Sequence, residues 1–230
     1  MNEERSSENG RDAKVGTYFD RAATTFDTFY DGKRSRCMQW IDRKFRSDMF
    51  DRFRLTFEAI EPLKDKTVLD IGCGSGPYVV EAAKRGSRHV IGLDMASQML
   101  ELAQARARKA EVSERCEFIV GVFPEDAPRG TFDRAIVMGV MDYVPDPLKF
   151  LSTLARQVRG PAAVSFPSRH WFRTPLRRVR YWLKRCPVFF FDREQIDQLM
   201  RAAGFTGVCI VKIPGAGMDY VATGYGTPAE

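Results

Sequence analysis

The run Thr67-Val-Leu-Asp-Ile-Gly-Cys-Gly-Ser-Gly76, continued by Pro77-Tyr-Val-Val-Glu-Ala-Ala-Lys-Arg85, decides the fold. Val68, Leu69 and Ile71 are a short apolar run of the kind that fills a buried strand. The run stops abruptly at Gly72, Gly74 and Gly76, a glycine density that permits positive φ and close approach of a ligand to the main chain. Pro77 suits the first turn of a helix, and the helical run that follows is halted at Gly86. Strand, glycine loop and helix in this order build a nucleotide-type site in an open α/β sheet. The details exclude two common versions of it. A G-x-G-x-x-G fingerprint needs glycine at position 77, which is Pro77, and no Gly-Lys-Ser/Thr follows to make a phosphate loop. Asp70, two residues ahead of the loop, would repel a phosphate and suits a cationic ligand.

A second acid stands in register with the first. His89-Val-Ile-Gly-Leu-Asp94 is an apolar strand ending in a carboxylate, which can accept both hydroxyls of a ribose. A helix follows over about residues 96–110, so Asp94 also reads as its N-cap. With Asp70, the three glycines and Asp94 quoted, the chain resembles the class I S-adenosylmethionine-dependent methyltransferases of small-molecule type, including the ubiquinone/menaquinone-biosynthesis-like and magnesium-protoporphyrin-type enzymes. An unrelated α/β nucleotide fold carrying this loop is the alternative. The resemblance implies a doubly wound seven-stranded sheet, Rossmann-like, with an N-terminal helical cap and a lid segment after the fifth strand. It implies S-adenosylmethionine as cofactor and S-adenosylhomocysteine as product. On the quoted motifs it places Asp70, Gly72, Cys73, Gly74, Gly76, Asp94 and Met95 at that cofactor. Cys73 lines the cofactor in this reading and is poorly placed as a nucleophile.

Composition bounds the rest. The 230 residues suit one domain with a sizeable core, and 44% apolar with 29% charged residues is ordinary for a globular protein. No apolar run is long enough to span a membrane, and the polar N-terminus lacks a signal-peptide core. Five cysteines without a C-x-x-C pair argue for reduced thiols in the cytoplasm and against a metal site.

Residues 1–14 read as a disordered tail and 15–230 as a single domain, in which 15–60 form the helical cap. Tyr18, Phe19, Phe26, Phe29 and Tyr30 resemble the N-terminal segment that closes over the cofactor in small-molecule methyltransferases. The other reading of them is a helix docked by its aromatics. Ile41, Phe45, Met49, Phe53 and Phe57 recur every four residues, a core-facing helix ended by Glu61-Pro62. Cys116-Glu-Phe-Ile-Val120 is a third strand. The turn after it reads Gly121-Val122, where the resemblance implies Gly-Asp with the acid accepting from the adenine amino group. Adenine recognition then falls to main-chain groups at Val122, to Phe123 as an apolar wall, or to Asp126. Thr131 to Val144 holds the fourth strand and its loop, which sets Met138, Gly139, Asp142 and Tyr143 beside the methyl donor. A helix from Asp146 to about Val158 and a strand over Ala162–Phe166 follow. Asp192-Arg-Glu-Gln195 has the form of a capping box, and two final strands, 208–213 and 218–222, make a closing hairpin.

Residues 169–185 carry seven cations and no acid, in a chain of net charge +6. Phe172, Leu176, Val179 and Leu183 mark one face of a helix within them. Three readings stand: a lid over the acceptor pocket (167–192), a contact with an anionic ligand or a membrane surface, and a helix that only packs. The expected reaction is methyl transfer to a small-molecule acceptor, with His170 and Asp142 as candidate bases and Tyr143 as an orienting hydroxyl. His89 opens a strand and reads as structural. Two rivals are methylation of RNA or protein, and binding of the cofactor without catalysis. No DNA partner is expected, and the acceptor and the oligomeric state stay open.

Overall fold

The computed structural model describes residues 38–168, 189–213 and 219–228, with side chains from residue 49 onward. The segments 1–37 and 169–188 fall outside the described residues, and with them Tyr18, His170, the tail, the first part of the cap and the basic stretch. Helix α1 (Met38–Ile60) precedes strand β1 (Thr67–Ile71), helix α2 (Pro77–Lys84), strand β2 (His89–Asp94), helix α3 (Ser97–Lys109) and strand β3 (Cys116–Val120). Then come β4 (Arg134–Val137), α4 (Pro147–Gln157), β5 (Pro161–Phe166), α5 (Arg193–Ala202), β6 (Thr206–Lys212) and β7 (Tyr220–Tyr225).

The seven strands form one sheet in the order β3-β2-β1-β4-β5-β7-β6. The first five pair in parallel, and β7 inserts antiparallel between β5 and β6. Chain order reverses between β1 and β4, so a crevice opens beyond their carboxyl ends, where open α/β sheets place ligands. This is the expected doubly wound fold.

Alternation along the strands sorts the core onto two faces. Leu69, Ile71, Ile91, Leu93 and Val137 pack with Phe150, Leu154, Ile196 and Met200 of α4 and α5. Val68, Val90 and Ile136 pack on the other face with Phe57, Ile60, Val79 and Ala83 of α1 and α2. Asp70 shares that second face by its place in the alternation, next to Gly92 and Ile136 in the register. Asp146 caps α4 by accepting from the Lys149 amide at 2.9 Å, and the Asp192/Gln195 capping box opens α5 as read.

The closing strands run differently from the reading. β7 continues through Thr223, Gly224 and Tyr225, held by pairing with β5 and β6, and position 224 requires a small residue. A Cβ on Gly224 would sit 3.0 Å from that of Phe205. β6 begins earlier, at Thr206, with a register shift before Cys209.

The amino ends of β1 and β4 are pinned by one acid. Asp133 Oδ2 accepts from the Thr67 amide at 2.9 Å and its hydroxyl at 3.1 Å. Beside it, Arg134 donates to the carbonyls of Ile60 and Pro62, holding the end of α1 against the sheet. Burial pushes the Asp133 carboxyl up, but the Thr67 bonds, with Lys66 and Arg134 nearby, outweigh it and hold its pKa below the usual aspartate value. The stabilisation is therefore fully present above the unfolded value of about 4 and fades as pH falls through the lower folded value. Urea unfolding should show Asp133→Ala less stable by about 1–3 kcal/mol at neutral pH. The gap should narrow on acidification, and a gap independent of pH would contradict the assignment.

Candidate cofactor site

The loop after β1 is fastened to β2 by its main chain. Gly72 and Cys73 both donate to the Leu93 carbonyl, at 2.7 and 3.2 Å, and Gly74 donates to Asp94 Oδ2 at 2.8 Å. The three glycines all lie in the left-handed region, at φ +69°, +52° and +75°. Their surroundings differ. A Cβ on Gly72 would strike the Val140 side chain, and one on Gly76 would meet Ala103 of α3 at 2.8 Å. A Cβ on Gly74 meets nothing within 4 Å. Gly72 and Gly76 are packing glycines, whereas Gly74 faces open space beside Asp94.

Two carboxylates flank this opening. Asp94 accepts from Gly74 through Oδ2 and from the Ala96 amide through Oδ1 at 2.9 Å. The N-cap of α3 is Ala96, so Asp94 organises the turn into the helix one step earlier than a true cap. Each carboxylate oxygen accepts two bonds, which leaves acceptor capacity for hydroxyls. Asp70 is 1% exposed, and its Oδ2 finds no hydrogen-bond partner among the described residues. Burial, and then the charge of Asp94, push its pKa well above the usual aspartate range. A buried carboxylate left this way is costly unless a cation compensates it. The donor set therefore fits the ammonium and sulfonium of S-adenosylmethionine at Asp70 and its ribose at Asp94.

Cys73 is buried with the α1/α2 core, and its thiol is pushed well above the ordinary value by burial and then by Asp70. Any contact it makes with a cofactor runs through its main chain. Met95 is half-buried directly after Asp94. Phe123 is 7% exposed and meets Phe150 edge-on at 4.7 Å between ring centres, so its ring belongs to the core. Val122 lies on the turn beyond β3, closed by Asp126, whose Oδ2 accepts from the Val122 amide at 2.9 Å.

On the β4 side, Met138 is half-buried under α1, with the Thr56 hydroxyl 3.5 Å from its sulfur. Gly139 is exposed at φ +76°, and its amide donates to Ser165 Oγ at 2.8 Å. Ser165 is a positioning residue the sequence did not single out. The one available signal was a lone serine in the otherwise apolar run Ala162–Phe166. Asp142 is buried and its carbonyl accepts from the Phe189 amide, with Tyr143 half-buried beside it. His89 lies at the far end of β2, 3.3 Å from Glu117.

A carboxylate at the end of β1, another at the end of β2 and an open glycine between them define the cofactor crevice of class I S-adenosylmethionine-dependent methyltransferases. Residues 41–210 match the family described as methyltransferase domain, and the chain belongs to that family. Among curated proteins it is similar to tRNA U34 carboxymethyltransferase of Actinobacillus succinogenes, 32% identical over 52% of this chain and 36% of the relative. The Shewanella baltica protein of the same name is 29% identical over 68% of this chain and 53% of its own length. The chain thus spans about half or less of these relatives. Among solved structures, magnesium protoporphyrin IX methyltransferase of Synechocystis with bound SAM has a TM-score of 0.75 at 16% identity. That match covers 94% of this chain and 97% of the other, and establishes the shared fold.

Two substitutions separate the roles. Asp94→Ala should weaken S-adenosylhomocysteine about ten- to a hundredfold by calorimetry, the worth of charge-assisted bonds. Gly74→Val should abolish binding, since the added side chain enters the open space beside Asp94, and it should lower the melting temperature because φ +52° strains a β-branched residue, while circular dichroism still shows a folded protein. An unfolded variant would assign Gly74 to the backbone turn alone.

Proposed function

We propose that this site transfers the methyl group of S-adenosylmethionine to a small, anionic acceptor held beyond β4 and β5. The observation that carries the donor half is the buried Asp70 carboxyl with Asp94 beside the open face of Gly74. The bound sulfonium supplies an already activated methyl group. The chain's own part is then alignment and exclusion of water more than acid–base work. Gly139, held by Ser165, keeps the loop after β4 fixed at the crevice. Asp142 and Tyr143, next on that loop, are proposed to orient the acceptor, and Asp142 to take its proton where the accepting atom carries one. His170, outside the described residues, is proposed for the same task.

Support for an anionic acceptor comes from the seven unopposed cations of residues 169–185. Likeness to a magnesium protoporphyrin IX methyltransferase over nearly its whole length supports a small acceptor. The second reading, transfer to RNA, is favoured by the curated relatives, which are named as tRNA enzymes. Methyl-labelled cofactor incubated with metabolite and RNA fractions separates the two by the size of the labelled product. We expect label in small products, and label confined to RNA would overturn the proposal. Arg177→Glu with Arg180→Glu should lower turnover of that acceptor and leave S-adenosylhomocysteine affinity unchanged. Salt should imitate the double substitution.

A further inference from the structure

Helix α1 crosses the sheet from its carboxyl end to its amino end, and two contacts fix that direction. The carbonyl of Ile60, last in the helix, accepts from Arg134, which opens β4. One turn earlier, the Thr56 hydroxyl lies 3.5 Å from the sulfur of Met138, just past the end of β4. A further turn back stands Arg52, whose carbonyl takes the Thr56 hydroxyl at 2.7 Å. Residues four apart share a helix face, so Arg52 continues the stripe of the fully buried Thr56 past the edge of the sheet.

The closing hairpin sets the other side of this corner. Tyr220, first in β7, pairs with Phe166, last in β5, so Asp219 lies at the same carboxyl end. Arg52 Nη1 stands 4.0 Å from Asp219 Oδ2, longer than a hydrogen bond. The Asp219 main chain is anchored elsewhere, its carbonyl accepting from the Ile213 amide at 3.0 Å. Arg52 Nε is shielded from water, although the side chain as a whole keeps 25% exposure. A cation drawn this far from solvent calls for an anion, and a carboxylate matches the planar guanidinium fork.

This corner belongs to the acceptor side of the crevice. Asp70 neighbours Ile136 in the register, and Met138 lies two residues further along β4 on the same face. From β4 the sheet continues through β5 to β7, two strand spacings or about 10 Å. An acceptor lying across Gly139 and Ser165 therefore meets the methyl donor at β4 with one end and Arg52 with the other.

We infer that Arg52 binds a carboxylate on the acceptor, about 10 Å from the atom that is methylated, and that Asp219 is the counterion this carboxylate replaces. The inference rests on the functional reading given above and names the residue that selects its acceptor. Arg52 is then a specificity residue: it holds a remote handle and takes no part in the transfer itself.

The test sorts a metabolite fraction on an anion-exchange resin and offers the retained and unretained parts to the protein with methyl-labelled cofactor. Wild type should label a small molecule of the retained part. Arg52→Gln should need about tenfold or more of that part for half-maximal labelling, with S-adenosylhomocysteine affinity unchanged by calorimetry. Asp219→Asn removes the competing carboxylate and should need the same amount or less. Unchanged labelling by Arg52→Gln overturns the role of Arg52 and leaves the functional reading intact, as does label confined to neutral small products. An Asp219→Asn impaired as much as Arg52→Gln makes the pair a structural pin and also overturns the inference. So does an Arg52→Gln that no longer binds S-adenosylhomocysteine. Wild type that labels no small molecule overturns the functional reading and this inference with it.

Discussion

The hydrogen bond from the Gly74 amide to the Asp94 carboxylate joins the two halves of the crevice. It links the loop that leaves β1 to the residue that ends β2. Together with the bonds from Gly72 and Cys73 to the Leu93 carbonyl, it fixes the loop against its neighbouring strand before any ligand arrives. Such preorganisation lowers the ordering cost of binding. The bond also constrains the chain. It requires a left-handed backbone at Gly74, a short carboxylate at 94, and a parallel register that brings the ends of β1 and β2 level.

Beneath that bond sits a conflict that folding alone does not resolve. Asp70 occupies an inward position of a central strand, where the alternation calls for an apolar side chain like Val68. Burial opposes its charge, and Asp94 nearby opposes it further. In the free protein both effects favour the protonated carboxyl. A cationic ligand reverses that balance, since an opposite charge at close range favours the ionised form. Local rules broken at such a position are characteristic of functional sites.

Much of this was legible in the sequence, and the reasons are local. The apolar run 68–71, the glycines and Pro77 specify strand, loop and helix within a dozen residues. Asp94 follows an equally clear strand, and the capping box at Asp192 is a four-residue signal. What was hidden depends on distant partners. The three glycines look alike in sequence, yet Gly72 answers to Val140 and Gly76 to Ala103. Thr67 and Asp133, 66 residues apart, gave no sign that they pin β1 to β4. Ser165 stands alone as a polar residue in a buried strand, and nothing local in the sequence links it to the Gly139 amide that donates to it. The ring of Phe123 reads as a wall for adenine from sequence, whereas tertiary packing turns it toward Phe150. The end of β7 was missed because Ala222-Thr-Gly carries little hydrophobic signal, while the fold needs smallness there.

The central claim is that the buried Asp70 carboxyl is there to meet a cationic ligand, and proton counting tests it most directly. S-adenosylhomocysteine binding should be titrated calorimetrically over a range of pH in buffers of different ionisation enthalpy, since burial favours the protonated form of this carboxyl. The account predicts that wild type releases a proton to the buffer on binding, and that Asp70→Asn, at ligand concentrations high enough to saturate it, does not. A binding enthalpy independent of buffer in the wild type, or the same release from Asp70→Asn, would contradict it.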